Sequence, residues 1–221
     1  MFSLENFFES GRSVHVSKGE IVIRGDEVSA DVYYVSKGLI KVYSINDQGE
    51  EYIHILYKSG DIFPLILAFK GRQRRVFYEA MDSVILWKVP KDRFIKHVKQ
   101  NTSPDIYSLI EQMAEQFNVY ADRIDNLQYK SASERVVYRL LFLASRFGRK
   151  TGSEIIIDAP ITHKVIASSI NLTRESVSRE IEKLSETGII SSGAGKIVIK
   201  DIQRLSKEFS EPVSLDLWGL K

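Results

Sequence analysis

Residues 161–188 read ITHKVIASSINLTRESVSREIEKLSETG, and this stretch decides the fold of the C-terminal part. It predicts two short helices joined by a tight turn. Thr162 is placed to cap the first, which carries Val165, Ile166 and Ala167 toward a core. The turn is Ile170-Asn171-Leu172, where Asn171 accepts a left-handed backbone at low cost. Thr173 caps the second helix, and Gly188 ends it. Val177, Ile181 and Leu184 form an apolar stripe at helical spacing. At about 100° per residue, Glu175, Ser178, Arg179 and Glu182 fall on the opposite face. A short helix that offers Arg, Glu and Ser from its first turns is suited to reading base edges in a major groove.

The flanking sequence supports that reading. Ile189-Ile190, a loop at 191–195 and Lys196–Lys200 predict a β-hairpin, which behind such a helix pair is a wing. Before the pair, residues 133–147 predict a helix apolar over a wide face (Val136, Val137, Leu140, Leu141, Leu143, Ala144 and Phe147), closed by Gly148-Arg-Lys. Ile155-Ile-Ile predicts a short strand, and Asp201 is placed to cap a last helix with Ile202, Leu205 and Phe209. A plain amphipathic surface helix is the alternative for 174–186. The cap, the Asn turn, the wing and the two arginines taken together favour DNA. Arg174, Glu175 and Arg179 are the candidate base readers: Arg bonds guanine bidentately and Glu accepts from cytosine. Thr162, Thr173, Ser176, Ser178 and Lys196 are candidate backbone and supporting contacts, which set register without reading sequence.

Further upstream, residues 104–130 predict a long helix. Ile106, Leu109, Met113, Phe117, Tyr120, Ile124 and Leu127 follow a heptad-type spacing. Such a seam serves either packing on a neighbouring domain or pairing with a second copy, and its regularity favours the dimer. Residues 14–89 have a different texture. Short β-branched and aromatic runs alternate with Gly38, Gly49, Gly60 and Gly71, each eleven residues after the last. That pattern predicts an all-β sandwich or barrel. Phe2, Leu4, Phe7 and Phe8 predict a small N-terminal helix, and Pro90 starts another.

The chain of 221 residues, 43% hydrophobic and 27% charged, is large enough for two small domains. Residues 1–130 hold 17 Lys+Arg against 18 Asp+Glu, and 131–221 hold 14 against 11, so the C-terminal part carries the positive excess. The absence of cysteine excludes disulfides, thiolate-bound iron–sulfur clusters and thiol switches. His15, His54, His97 and His163 are not spaced as a metal pair, and no nucleophile or acid–base constellation stands out, so neither an enzyme nor a cofactor is expected. His163 reads as a phosphate neighbour or plain surface. The cluster Lys70, Arg72, Arg74, Arg75 reads as a solvated turn before an anion site. With neither a signal peptide nor a membrane-spanning run in view, a cytoplasmic protein without membrane contact is the expectation.

At this point the chain resembles a known family. TRESVSREIEKLSETGII, the wing, and the glycine pattern with Gly19-Glu20 and Gly60-Asp61 are similar to the cyclic-AMP receptor protein / fumarate-nitrate regulator family, from about Ser13 to Leu205. The resemblance implies an α+β chain: a cyclic-nucleotide-binding-like β-roll (a double-stranded barrel, 1–103), a dimerisation helix (104–130) and a winged helix-turn-helix domain (131–221). It implies base reading by Arg174, Glu175 and Arg179, a homodimer on double-stranded DNA with two-fold symmetry, and RNA polymerase as a further candidate partner. The sensor half departs from the cyclic-nucleotide members of that family. Where those carry Gly-Glu for the ribose, Pro64-Leu65 stands here; Arg74 is followed by Arg75 in place of Ser or Thr; and Tyr120-Ala121 replaces a polar pair near the base. The expectation is therefore a neutral or partly apolar effector, or none, in place of cyclic AMP, with a cyclic-nucleotide-responsive regulator or small-molecule-binding module of the same fold as the alternative; Phe63, Leu65, Arg74, Arg75 and Tyr120 are the candidate pocket residues.

Overall fold

The structure, a computed structural model, describes residues 4–25, 27–71, 75–100, 104–129, 131–193, 195–209, 215, 219 and 220. Phe2, Arg72, Arg74, Leu217 and Trp218 lie outside the described residues. The chain divides into two compact units, Met1–Tyr120 and Ala121–Lys221.

The first unit begins with α1 (Leu4–Glu9) and continues through β1 (Arg12–Val16), β2 (Ile21–Ile23), β3 (Asp31–Lys37), β4 (Ile40–Ile45), β5 (Glu51–Tyr57), β6 (Ile62–Phe63), α2 (Leu65–Lys70), β7 (Phe77–Ala80), β8 (Val84–Pro90) and α3 (Lys91–Gln100). The strands form two antiparallel four-stranded sheets, ordered β1-β8-β3-β6 and β2-β7-β4-β5. An aromatic column joins them. Phe63 from the first sheet stacks on Tyr57 and Tyr78 of the second at 5.3 and 5.2 Å, and on Tyr33 behind it at 5.2 Å. Stacked pairs of this kind are worth about 0.5–1.5 kcal/mol each beyond the area they bury. Strands fill the stretch whose texture predicted them, with β1 and the short β6 in addition, and α2 interrupts the expected all-β pattern. Gly38 turns the chain with φ +89°, where a Cβ would meet Asp82 Oδ1 at 2.7 Å, and that same oxygen accepts from the Leu39 amide. A second cluster, with Leu4, Phe8, Phe94 and Leu109 at its centre, seals the end carrying α1 and α3.

The long helix α4 (Pro104–Gln128) passes from the first unit into the second. The second unit continues with α5 (Ala132–Phe147), β9 (Gly148–Thr151), β10 (Glu154–Ile157), α6 (His163–Ile170), α7 (Arg174–Glu186), β11 (Ile190–Gly193), β12 (Lys196–Ile199) and α8 (Ile202–Ser206). Its sheet runs β11-β12-β10-β9, so the wing hairpin is joined to β10. Gly148-Arg-Lys does not merely close α5 as expected; it enters β9, pairing Arg149 with Ile156. The core is supplied by one face of each helix: Val136, Leu140 and Leu143 from α5, Ile166 and Ile170 from α6, Val177 and Ile181 from α7. Deeper polar groups gather at the start of this unit. Tyr138 donates to Asp122 at 3.2 Å, and the Arg139 guanidinium lies over Phe142, its Nε lacking a hydrogen-bond partner among the described residues. Burial, with Arg123 and Arg146 nearby, pulls Arg139 down to about 9, so it stays charged at neutral pH. No helix among the described residues is long and apolar enough to cross a membrane.

Candidate functional site

The candidate reading surface is built by two helix caps and one left-handed residue. Thr162 Oγ1 accepts from the Val165 amide at 3.3 Å and starts α6. Asn171 ends that helix at φ 54°, ψ 49°, and its amide still bonds the Ala167 carbonyl. Thr173 Oγ1 then accepts from the Ser176 amide at 3.1 Å and starts α7 two residues later. Each cap is worth about 1 kcal/mol, which matters for helices this short. Gly188, at φ +73°, ends the pair. Val177, Ile181 and Leu184 are buried against the unit, which forces Glu175 and Arg179 to the outside. Arg174, on the flank, is exposed as well, and Lys196 is exposed on the wing.

The structure thus brings Arg174, Glu175 and Arg179 onto the open side of one helix. The supporting hydroxyls are more committed than the sequence suggested. Thr162 and Thr173 serve as caps, Ser176 Oγ lies 2.9 Å from Thr173 Oγ1, and Ser178 Oγ lies 2.8 Å from His163 Nδ1. That last contact ties the first residue of α6 to the side of α7 that carries Ser178, and spacing along the chain gave no sign of it. Burial, with Arg174 beside it, holds the His163 imidazole below its ordinary value.

On α4 the seam is partly redrawn. Leu109 is 3% exposed and sits inside the first unit's own core, so it leaves the open face. Ile110, Met113, Phe117 and Ile124 are exposed at 47–71%. Ile106, Tyr120 and Leu127 are intermediate. Neighbouring apolar residues at 109 and 110 differ by about 100° around the axis, and the burial of Leu109 shifts the open stripe to Ile110.

Two glutamines fix α4 to the β-roll. β6 is an edge strand, and Ile62 presents its amide and carbonyl away from β3. Gln112 Oε1 accepts from the Ile62 amide at 3.0 Å while its Nε2 donates to the Gly60 carbonyl at 2.9 Å. One turn on, Gln116 Nε2 donates to the Ile62 carbonyl at 3.0 Å and its Oε1 accepts from Tyr57 at 3.3 Å.

Beside this joint lies a cavity of about 50 Å³, lined by Ile23, Val42, Leu65, Val76 and other apolar groups and by Arg24, Glu27, His54, Tyr57, Tyr78, Gln116 and Tyr120. Its lining is mixed, apolar on one part and polar on the other. Of the expected pocket residues, Leu65 and Tyr120 line it. Phe63 does not: it is fully buried in the aromatic column. Arg75 is exposed and absent from the lining, and Arg74 lies outside the described residues. The polar lining comes from segments far apart in the chain, which the sequence alone could not assemble. Among the described residues there is no cluster of His, Asp or Glu able to hold a metal.

Comparison with known proteins agrees with both halves. A Crp-like helix-turn-helix domain model matches residues 134–208, and a cyclic nucleotide-binding domain model matches residues 13–101. The chain is similar to the global nitrogen regulator of Nostoc sp., with 28% identity over 182 residues and 81% of each chain covered. It is similar to the cAMP-activated global transcriptional regulator CRP of Salmonella typhimurium, with 26% identity over 185 residues, 83% of this chain and 86% of that one. Among solved structures, FixK2 from Bradyrhizobium japonicum superposes with a TM-score of 0.78 at 26% identity, covering 91% of this chain and 98% of that one.

Proposed function

The chain belongs to the cyclic-AMP receptor protein / fumarate-nitrate regulator family of DNA-binding transcriptional regulators, and from that premise we propose that it acts as a homodimer on a two-fold symmetric site. In this reading residues 131–221 form the DNA-binding domain, 104–130 the dimerisation helix and 1–103 the effector domain. Arg174, Glu175 and Arg179 read base edges, while Thr162, Thr173, Ser176 and Lys196 approach the phosphates. The observation that carries it is the capped α7, with its apolar stripe buried and both arginines left exposed. The open stripe Ile110, Met113, Phe117 and Ile124 supports self-pairing, since such a row in water gains from a matching partner. Two copies of α7 then reach half-sites about 34–36 Å apart. RNA polymerase is a partner the same reading expects, and the cytoplasm is where it would act.

For the effector domain we infer a partly apolar ligand other than cyclic AMP, or no small ligand at all. Pro64 and Leu65 stand in the lining where a ribose-binding carboxylate would be needed. A ligand of this kind acts only by binding one arrangement of the dimer more tightly than the other. Selection of the full-length protein on a random duplex pool, repeated across salt, tests the DNA reading. A palindromic site is expected, with affinity falling about 10³- to 10⁵-fold between about 50 and about 200 mM salt for a dimer making 6–10 phosphate contacts. No preferred sequence, or an affinity indifferent to salt, contradicts it. A clear thermal shift with cyclic AMP would overturn the pocket reading alone.

A further inference from the structure

His163 is the first residue of α6, yet its hydrogen bond is spent on another helix. Its Nδ1 lies 2.8 Å from Ser178 Oγ. Ser178 is three residues past Glu175 and one before Arg179, so it stands on the face proposed to meet DNA. A serine hydroxyl has one proton to give and lone pairs to accept with. Whichever way the bond to His163 runs decides what remains for a base.

We propose that His163 is a specificity-determining residue, setting whether Ser178 has a proton to offer a base edge; this rests on α7 being the DNA-reading helix. With a neutral ring whose Nδ1 accepts, the Ser178 proton is taken. Only lone pairs are left for the amino groups of cytosine or adenine. With a protonated ring both nitrogens donate, Ser178 Oγ must accept, and its proton is released toward guanine O6 and N7 or thymine O4. The hydroxyl thus gains a donor without moving and keeps one lone pair.

The surroundings set the resting form. Arg174 faces the ring from α7, Lys164 follows it on α6, and the amide end of α6 adds a positive potential. Partial burial first, and Arg174 after it, disfavour the charged ring, so the free protein rests with His163 neutral. Phosphates brought close by DNA act in the opposite sense, and acid completes the change.

The test uses the full-length dimer and single-base variants of its selected site, at about pH 8 and about pH 5.5, on either side of the histidine range. The expected result is a several-fold change, between the two pH values, in the ratio of affinities for amino-bearing and carbonyl-bearing bases at one position per half-site. His163→Asn, whose amide can still meet Ser178 but does not titrate, should bind well and lose that pH dependence. Ser178→Ala should lose it too, with an unchanged melting temperature. Identical base preferences at both pH values overturn the proposal, as does a pH effect that survives either substitution. A uniform gain of affinity in acid at every base, with a steeper salt slope, overturns it by making His163 a phosphate contact. A protein with no preferred sequence at either pH fails on the DNA reading itself, and the inference falls with it.

Discussion

Replacing Gln112 with leucine should loosen the first unit at one identifiable peptide. The side-chain oxygen of Gln112 is the acceptor for the Ile62 amide at 3.0 Å, and its nitrogen donates to the Gly60 carbonyl at 2.9 Å. Ile62 is fully buried on an edge strand, so its amide has no water to turn to when the glutamine is removed. Leaving one buried donor unpaired costs about 1–3 kcal/mol, and the more accessible Gly60 carbonyl adds less. The leucine recovers part of this by burying its own side chain, so a net loss of about 2 kcal/mol is expected. At 1.4 kcal/mol per factor of ten, that is an acceleration of roughly thirtyfold in hydrogen exchange at the Ile62 amide. Gln116→Leu should cost a similar amount by stripping the Ile62 carbonyl, and the double variant less than the sum, because both act on one peptide. Exchange at Ile62 is followed by NMR in the native state. A change of less than about threefold, with an unchanged unfolding midpoint, would refute the view that these glutamines complete the edge of β6.

Substitutions at three further positions probe other levels of the structure. Asn171→Val forces a β-branched residue to φ 54° and should cost the second unit about 1–2 kcal/mol or more, while Asn171→Gly should cost little; equal losses in chemical denaturation would contradict the turn assignment. Arg139→Leu removes a half-buried charge whose buried Nε lacks a partner among the described residues, so stability should hold or rise by about 1 kcal/mol; a loss above about 1 kcal/mol would mean the charge is well compensated. Phe117→Glu places a charge on a 71% exposed position of the α4 stripe and should shift sedimentation from dimer to monomer without unfolding the chain; an unchanged dimer would move the interface elsewhere.

The parts legible in the sequence are those fixed by local chemistry. Thr162, Asn171, Thr173 and Gly188 act within a few residues of themselves, and the helix pair they bound is where their order predicts it. The β texture between turn glycines was readable for the same reason, although β1 and the short β6 were not singled out. What failed to be legible depends on distant partners. On α4 the strict 4-3 alternation runs through Ile110 rather than Leu109, so spacing alone could have placed the open stripe, while the burial of Leu109 needs Leu4, Phe8 and Phe94 drawn in from elsewhere. Phe63 looked like a pocket wall because it precedes Pro64, but Tyr33, Tyr57 and Tyr78 enclose it. Arg24, His54 and Gln116 meet at the cavity from three separate segments. The His163–Ser178 bond likewise spans fifteen residues across a turn whose angle no periodicity encodes.

The measurement that bears most directly on the account is the affinity of Arg179→Ala for the selected site and for every single-base variant of it. A base-reading Arg179 predicts a loss of about 1–3 kcal/mol on the preferred site, with discrimination relaxed at one base pair of each half-site and intact elsewhere. An equal loss on all sequences would contradict it, leaving Arg179 as a phosphate contact and α7 without its reading role.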